Sequence, residues 1–348
     1  MWSFLFSHRI KVRKTQKAEA ERDKFREDND FCTFLKESGK PAHFERLEAW
    51  VQSPEYESRM RMLKRFSWKS RKPEEKWSSS EERRQMLEYK QLKKHRDLRR
   101  YYALLKDPVF NQYRRWKLTF EDRFSDLYPD LKKWIVRYYA GERFLKDSYG
   151  VGKDVQLFMP GNVGFNEKGL CLEFRKEAIE GKYWDPKLGV VSRRYAYTSG
   201  MVNTALTFRQ QQGRFEAKIR VDNSEVEQCF WLAGDGLLPH VNIMKYSKQG
   251  YQSNCFTDFN QSDDSDTFTG KPLMLKPGYY IFTFDWTADK LVWKINDCVI
   301  KSSHNRLPDL PLFAVLSLGA TANIAEEKAL PEKMQVEWVR FYTENNDH

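Results

Sequence analysis

From about residue 118 onward, the chain consists of short runs in which apolar and polar residues alternate, separated by Gly, Pro, Asn and Asp. The runs are GLCLEF, GRFEAKIRV, YYIFTFDW, LVWKIND, LFAVLSLG and MQVEWVRFY. Alternation with a period of two indicates strands with one buried face, and many such strands without helices between them indicate antiparallel sheets packed face to face. We therefore predict a mainly β fold, an antiparallel β-sandwich of the jelly-roll type, over residues 118–348.

Residues 1–117 have a different pattern, which predicts a basic α-helical segment in front of the β domain. Two stretches, KTQKAEAERDKFREDNDFCTFLKES and SSSEERRQMLEYKQLKKHRDLRRYYALLKD, are rich in Glu, Lys, Arg, Leu and Gln and contain no Gly. In the second stretch, serine followed by acidic residues is typical of a helix N-terminus. Apolar residues at helical spacing predict the faces that pack together: Phe31, Phe34, Leu35, Phe44, Leu47, Leu98, Tyr101, Tyr102 and Leu105.

Two parts of this segment resemble each other at an offset of 54 residues, which predicts two copies of one helical module. FERLEAWVQSPEYESRMRMLKRF, residues 44–66, lies over LRRYYALLKDPVFNQYRRWKLTF, residues 98–120. Each copy reads as a helix, a Ser-Pro or Asp-Pro break, an aromatic residue and a second helix. The matched pairs are Phe44 with Leu98, Leu47 with Tyr101, Pro54 with Pro108, Tyr56 with Phe110, and Phe66 with Phe120.

The net charge of +11 is concentrated in the N-terminal third, where residues 1–118 carry 31 Lys and Arg against 18 Asp and Glu. Clusters such as KKHRDLRR, YRRWK and LKRFSWKSRK allow contact with nucleic acid or another acidic surface. Charges of both signs alternate along the helices, however, as they do on solvated helical faces. We therefore favour a protein partner, or self-association through residues 1–117, over nucleic acid.

Composition argues against several other classes. Five cysteines are widely spaced and include no C-x-x-C pair, which argues against a disulfide framework or a zinc site and fits a reducing compartment. No stretch approaches the ~20 apolar residues of a membrane helix. The opening MWSFLFSHRIKVRK is apolar and then basic, the reverse of a secretory signal. We expect a protein that is cytoplasmic or otherwise not exported by a classical signal peptide, with no metal and no cofactor.

Several motifs of the β region occur together and in a fixed order. The strongest is YTSGMVNTALTFRQQQGRFEAKIRV; the others are LTFEDRFSDLYPDLKKW, GNVGFNEKGLCLEFRKE, FTFDWTADKLVWKINDCVI and LPEKMQVEWVRFY. Over about residues 118–344 they resemble glycoside hydrolase family 16, the laminarinase and lichenase group. The resemblance implies a concanavalin A-like jelly roll of two curved sheets with a concave sugar-binding face. It implies nothing about residues 1–117.

The resemblance aligns residues 240–245 with the family's catalytic strand, which reads Glu-Ile-Asp-Ile-Met-Glu and carries a bulge. Here the strand reads HVNIMK, so His240, Asn242 and Lys245 stand at the three acidic positions. A retaining glycosidase needs a nucleophilic carboxylate and, about 5–5.5 Å away, a carboxylic acid that protonates the leaving oxygen. Asn242 carries no charge, and a lysine is a poor proton shuttle near neutral pH. We expect ordinary hydrolysis to be lost, with no catalytic residue intact.

Two other acidic residues are close in sequence and are considered as replacements. Asp235 lies in the turn GDGLLP and Glu216 lies in the strand GRFEAK. We expect Asp235 to serve the turn and Glu216 to be structural rather than catalytic.

A cleft without catalysis can still bind a glycan, because aromatic rings offer apolar faces to sugar rings. The ligand-binding candidates are Trp231, Trp184, Tyr195 and Tyr246. Of the neighbours Phe230 and Trp231, we expect Phe230 to face the core and Trp231 the cleft. Lys245, together with a protonated His240, would favour an anionic glycan.

We therefore predict a non-catalytic protein with a jelly roll like that of glycoside hydrolase family 16. Its role would be carbohydrate binding or scaffolding, and its helical segment would dock a partner. The alternative is an active glycoside hydrolase that cleaves O-glycosidic bonds of a β-glucan-type polysaccharide.

Overall fold

The structure is a computed structural model, and it describes residues 13–66, 76–126, 128–257, 272–304, 307–320, 324 and 330–345. The chain divides into two compact units. The β unit joins the residues up to Ala18 to Trp116–Asn345, and the helical unit comprises Glu19–Arg115. The opening residues 1–12 and the basic residues 67–75 lie outside the described residues, so the interpretations placed on them stay predictions.

This division differs from the predicted domains, 1–117 and 118–348, in the residues up to Ala18. Ala18 is fully buried against Ile281 and Trp338 of the β unit. The Asn296 side chain donates a hydrogen bond of 2.7 Å to the Arg13 carbonyl. These contacts explain why the start of the chain groups with the β unit.

The helical unit contains, in its described residues, helices with clear start signals. Ser80 accepts a hydrogen bond from the Arg83 amide at 3.3 Å, which confirms the helix start predicted at SSSEE. Asp107 caps the last helix through the Val109 amide at 2.8 Å. The helices are α1 (Thr15–Glu37), α2 (Lys40–Val51), α3 (Pro54–Phe66), α4 (Glu81–Lys94), α5 (Arg96–Lys106) and α6 (Pro108–Arg114).

The two sequences that were matched at an offset of 54 have the same order of elements up to their second helix. In each, a helix ends, a proline begins the next helix, and the aromatic residue two positions later is buried, as Tyr56 and Phe110 are. The second copy then departs from the first, because its chain enters a strand at Trp116 where α3 continues to Phe66. The repeat itself stays a prediction.

The predicted apolar stripes form the core of the helical unit with one exception. Leu35, Phe44, Leu47, Leu98 and Tyr101 are buried together. Phe34 was expected there but is 70% exposed. Successive helical residues point about 100° apart, so a helix that turns Leu35 inward turns Phe34 away from the core.

The β unit is a sandwich of mainly antiparallel strands, as predicted, and the six strand-like runs all form strands. In the described residues its strands are β1 (Trp116–Asp122), β2 (Tyr149–Gly150), β3 (Gln156–Phe158), β4 (Val163–Asn166), β5 (Gly169–Asp185), β6 (Gly189–Ser199), β7 (Met201–Asn203), β8 (Gly213–Val221), β9 (Glu227–Ala233), β10 (His240–Ser247), β11 (Gly250–Phe256), β12 (Gly278–Trp286), β13 (Leu291–Ile295), β14 (Cys298–Ser303), β15 (Phe313–Gly319) and β16 (Glu332–Glu344).

Two sheets enclose the main core. The larger has the order β14-β13-β12-β8-β16-β5-β6-β3, with β1 attached to β16 and β2 and β4 attached to β5. The smaller has the order β11-β10-β9-β15-β7. Alternate residues of each strand meet between the sheets, for example Phe215 and Ala217 of β8 with Phe230 and Leu232 of β9. The outer face of the smaller sheet is the face on which β10 presents its polar residues.

A β-bulge interrupts β10 at Ile243. Asn242 pairs with Trp231 of β9 and Met244 pairs with Phe230, so Ile243 has no partner in that strand. Ile243 and Met244 both point into the core. Because one extra residue is absorbed, Lys245 returns to the same face as His240 and Asn242.

Two core side chains satisfy the carbonyl groups at the bulge. Trp293 Nε1 donates to the Asn242 carbonyl oxygen at 3.0 Å, and the Tyr251 hydroxyl donates to the Ile243 carbonyl oxygen at 2.8 Å. Both bonds are buried. A buried carbonyl without a partner is costly, so these bonds stabilise the bulged form of the strand.

Replacing Tyr251 with Phe should lower the free energy of unfolding by about 1–3 kcal/mol, because it leaves the buried Ile243 carbonyl without a donor. Urea unfolding measures the difference. The matched control is Tyr280→Phe, which removes an exposed hydroxyl bonded to the Lys276 carbonyl and should change stability by less than about 0.5 kcal/mol. Equal effects of the two substitutions would contradict this role for Tyr251.

Candidate functional site

His240, Asn242 and Lys245 lie in one row on the outer face of the smaller sheet. The bulge at Ile243 produces this arrangement, since simple alternation would have turned Lys245 into the core. Within the row, His240 Nε2 lies 3.2 Å from Asn242 Oδ1. The structure therefore brings the three residues together on one face.

The His240 ring is stacked on Trp231 of β9. The ring centroids are 4.6 Å apart and the planes differ by 22°. Burial, reinforced by the charge of Lys245, lowers the pKa of His240 to about 4, although the hydrogen bond with Asn242 opposes the shift. His240 is therefore neutral at pH 7, and its imidazole can both donate and accept a hydrogen bond.

Lys245 is neutralised by a carboxylate on the neighbouring strand. Its Nζ lies 2.7 Å from Glu227 Oε1, and both side chains are about three-quarters buried. Cys229 pairs with Lys245 in the register of β9 and β10. Burial and the charge of Glu227 raise the pKa of Cys229 to about 12, so its thiol stays protonated. Glu227 could not be identified from the sequence, because the spacing of residues does not determine which residue of β9 faces Lys245.

Asn242 continues the polar row onto the edge strand β11. Its Nδ2 donates to Asn254 Oδ1 at 2.5 Å, and Asn254 is its register partner. Gln252, the register partner of Lys245, is exposed on the same face. Phe256 meets His240 edge-on, with centroids 5.9 Å apart. Asn242 itself is only 8% exposed, so a ligand would meet Gln252, Asn254 and the neutral imidazole of His240.

Part of this face is covered by β3 and by residues that precede it. Ile135, Tyr139 and Phe158 pack with Trp231 and Val315 in a second apolar cluster. This cover explains why Trp231 is only 7% exposed although it points away from the main core. Trp231 Nε1 donates to Ser317 Oγ at 3.0 Å, which fixes the orientation of the indole beneath His240.

A buried acid lies in the same covering region. The Tyr138 hydroxyl donates to Asp154 Oδ2 at 2.8 Å. Burial raises the pKa of Asp154 to about 6; the charge of Glu227 acts in the same direction, while Tyr138 and Arg193 oppose it. Asp154 could not be identified from the sequence either, because it comes from a loop far from β10 in the chain.

Of the four predicted ligand-binding residues, the structure places only Trp231 next to this row, where it stacks on His240. Tyr246 is 2% exposed and faces the main core, where its hydroxyl donates to the Leu275 carbonyl at 2.9 Å. Tyr195 is equally buried and donates to the Lys182 carbonyl at 3.0 Å. Trp184 is half exposed, but it lies near the tip of the β5–β6 hairpin in the larger sheet. Tyr195 and Tyr246 are corrected to core residues.

The two acids considered as replacements lie elsewhere. Glu216 is buried on β8 in the larger sheet, where its Oε1 accepts a hydrogen bond of 3.0 Å from Thr283. Asp235 is exposed in the turn after β9 and pairs with Arg209 at 2.6 Å. Neither carboxylate is part of the row on β10.

The described residues contain no group of His, Cys, Asp and Glu that could hold a metal ion. In that part of the chain, no helix combines the length and the apolar character that crossing a membrane requires. None of the five cysteines, all of which the structure describes, forms a disulfide bond.

No family model matches the sequence. Two curated proteins of Rhizobium meliloti strain 1021 are similar over part of their length. Endo-1,3-1,4-beta-glycanase ExsH is 24% identical over 165 residues, and endo-1,3-1,4-beta-glycanase EglC is 25% identical over 163 residues. In both cases the match covers 44% of this chain and 35% of the relative. The chain thus spans about a third of the length of the curated relatives it matches.

Among solved structures, the chain is similar to the κ-carrageenase of Pseudoalteromonas carrageenovora in complex with an oligotetrasaccharide of κ-carrageenan. The TM-score is 0.52 with 18% identity, over 66% of this chain and 96% of the other. The laminarinase catalytic domain of Thermotoga maritima MSB8 matches with a TM-score of 0.50 and 16% identity, over 66% of this chain and 99% of the other. The β unit therefore has the fold of the glycoside hydrolase family 16 laminarinases.

The imidazole of His240 should titrate with a pKa near 4, which NMR of the histidine ring protons measures, with His240→Asn assigning the signal. Its folded pKa lies below the ordinary value of 6.5, so the unfolded chain takes up the proton first. Stability should therefore fall as the pH drops from about 6.5 towards 4, and His240→Asn should reduce this loss. A measured pKa near 6.5 would show that the ring is solvated rather than held on Trp231.

Proposed function

We propose that this protein binds a glycan through the row on β10 and β11 and does not hydrolyse it. One observation carries the proposal: His240, Asn242 and Lys245 share a single face, and the carboxylate that reaches them, Glu227, is held by Lys245. The row is therefore a surface of hydrogen-bonding groups with its charges already paired.

Hydrolysis of a glycosidic bond requires groups that these three positions do not supply. A carboxylate must attack or stabilise the sugar, and a carboxylic acid must protonate the leaving oxygen. His240 is neutral, Asn242 is an amide and Lys245 is a cation in an ion pair. A cation also disfavours an oxocarbenium-like transition state, which carries positive charge.

A glycan is the ligand class that the fold supports best. The β unit has the fold of laminarinases, and a κ-carrageenase of this fold was solved with an oligosaccharide bound. The Asn242 amide already bonds to His240 and Asn254, so among the described residues of the row His240 Nδ1 and Asn254 Nδ2 are left to recognise sugar hydroxyl groups.

The ligand should be uncharged. An anionic glycan was expected because Lys245 and a protonated His240 were counted as positive charges. Neither charge is available to a ligand, since the pKa of His240 is lowered to about 4 and Lys245 is paired with Glu227 at 2.7 Å. We therefore propose a neutral polysaccharide, of the β-glucan type, as the ligand.

A glycan array that carries neutral β-glucans beside sulfated and carboxylated glycans tests this proposal. The protein should bind neutral glycans, and Asn254→Ala should weaken binding by about tenfold because one side-chain hydrogen bond is lost. The matched control is Gln211→Ala, an exposed amide that bonds to Asp309 and is not part of the row. Preferential binding of anionic glycans would contradict a neutral ligand, and absence of all binding would leave the β unit a scaffold.

The alternative function is hydrolysis by relocated acids, and one observation favours it. Asp154, with a pKa of about 6, is partly protonated near neutral pH, and its pKa is influenced by the charge of Glu227. An enzyme of this kind needs one protonated and one ionised carboxyl group.

If Asp154 were the acid, reducing-sugar release from bound β-glucan would fall as the pH rises through about 6. Release would also be lost in Asp154→Asn and in Glu227→Gln. We expect no release from the unaltered protein at any pH. Release that disappears in these two variants but survives Asp235→Ala would establish the alternative.

A further inference from the structure

A groove lies between α2, α4 and α5 of the helical unit, with a volume of about 480 Å³. Phe44, Leu92, Leu98 and Tyr102 contribute its apolar lining. This volume is within the range of about 300–1,000 Å³ that ligand pockets occupy. The groove is formed wholly within residues 44–106 and is independent of the β unit.

Side-chain contacts between the helices hold the groove in shape. The Tyr102 hydroxyl of α5 donates to Glu45 Oε1 of α2 at 2.9 Å. The Tyr89 hydroxyl of α4 donates to Glu48 Oε1 of α2, also at 2.9 Å. The Phe44 ring is stacked on Tyr89 with centroids 5.6 Å apart. A ligand would thus enter a preformed site and would not have to order it.

Some of the charged side chains around the groove have partners among the described residues and others do not. Glu45 and Glu48 on one wall each accept a tyrosine hydroxyl, and Lys93 donates to Tyr89 at 3.0 Å. Arg99 and Lys106 line the groove from α5, and neither side chain has a hydrogen bond or ion pair with any residue that the structure describes. They are seven residues apart, which is about two helical turns, so they lie on one side of α5.

We propose that this groove binds an acidic segment of a partner protein. An apolar side chain of that segment would occupy the floor between Phe44 and Leu98, and its Asp or Glu carboxylates would pair with Arg99 and Lys106. Arginine is well suited to this role because its planar guanidinium can bind a carboxylate through two hydrogen bonds.

Two features favour a protein segment over nucleic acid. A nucleic-acid backbone carries a charge at every phosphate and would bring some of them against Glu45 and Glu48, whereas a peptide can place its carboxylates beside Arg99 and Lys106 alone. Binders of single-stranded nucleic acid present aromatic faces for base stacking, whereas Phe44 is buried and stacked on Tyr89.

The test is a random-peptide phage library selected on the full-length protein. Enriched peptides should share an apolar residue followed within a few positions by Asp or Glu. Fluorescence polarisation then compares an enriched peptide with its counterpart in which Asp and Glu are replaced by Asn and Gln. The counterpart should bind at least about tenfold more weakly, since charge-assisted hydrogen bonds are lost.

Substitutions distinguish binding in the groove from attraction to the overall positive charge of the helical unit. Arg99→Ala with Lys106→Ala should weaken binding about tenfold or more. The control, Lys90→Ala with Lys94→Ala, removes the same charge from exposed positions of α4 outside the groove and should have little effect. Ala103→Trp, which fills the groove without changing charge, should abolish binding. Circular dichroism verifies that each variant is folded.

Three results would overturn the proposal. The first is selection of no acidic motif, and the second is equal weakening by the groove and control variants. The third is a different occupant of the groove. It would be nucleic acid if a single-stranded oligonucleotide binds through Arg99 and Lys106 when peptides do not. It would be a second copy of the chain if analytical ultracentrifugation shows self-association that Arg99→Ala with Lys106→Ala removes. Glycan binding by the β unit is measured separately, so failure of one proposal does not imply failure of the other.

Discussion

The arrangement of the candidate site depends on one extra residue in β10. Without the bulge at Ile243, strand alternation would place Lys245 in the core, where an unpaired ammonium group is very costly. The bulge in turn requires donors for its carbonyl groups, and Trp293 and Tyr251 supply them from the core. A polar surface row on one side of the sheet is thus fixed by buried hydrogen bonds on the other side.

The electrostatics of the row follow from its partial burial. A lysine that is about three-quarters buried needs a partner, and Glu227 provides it at 2.7 Å. A histidine packed on an indole loses solvation, and its neutral form is favoured. Because of these two effects, the row of His240, Asn242 and Lys245 has almost no net charge. The catalytic strand of glycoside hydrolase family 16 has three acidic groups at the corresponding positions. This difference in charge is the physical basis for proposing binding of a neutral glycan without cleavage.

Most of the fold could be predicted from the sequence, because the alternation of residues in strands and their spacing in helices are local patterns. The segments that form β8, β15 and α4 all show these patterns. The row of His240, Asn242 and Lys245 followed from the aligned strand and its implied bulge. The sequence did not predict three residues near the row. The positions of Glu227 and Asn254 depend on the register of the strands, and Asp154 comes from a distant loop. Tyr246 was misplaced: strict alternation from His240 would put it on the outer face, whereas the bulge at Ile243 turns it into the core.

The most direct test of binding without hydrolysis is prolonged incubation of the protein with a bound neutral β-glucan oligosaccharide in ¹⁸O-labelled water, followed by mass spectrometry of the glycan. Hydrolysis adds one labelled oxygen, at the new reducing end, for each bond cleaved, so even rare cleavage accumulates as shorter labelled fragments. We predict an intact, unlabelled internal chain after any incubation, at a protein concentration that saturates binding. Labelled shorter oligosaccharides, lost in Asp154→Asn, would contradict the account and establish an enzyme.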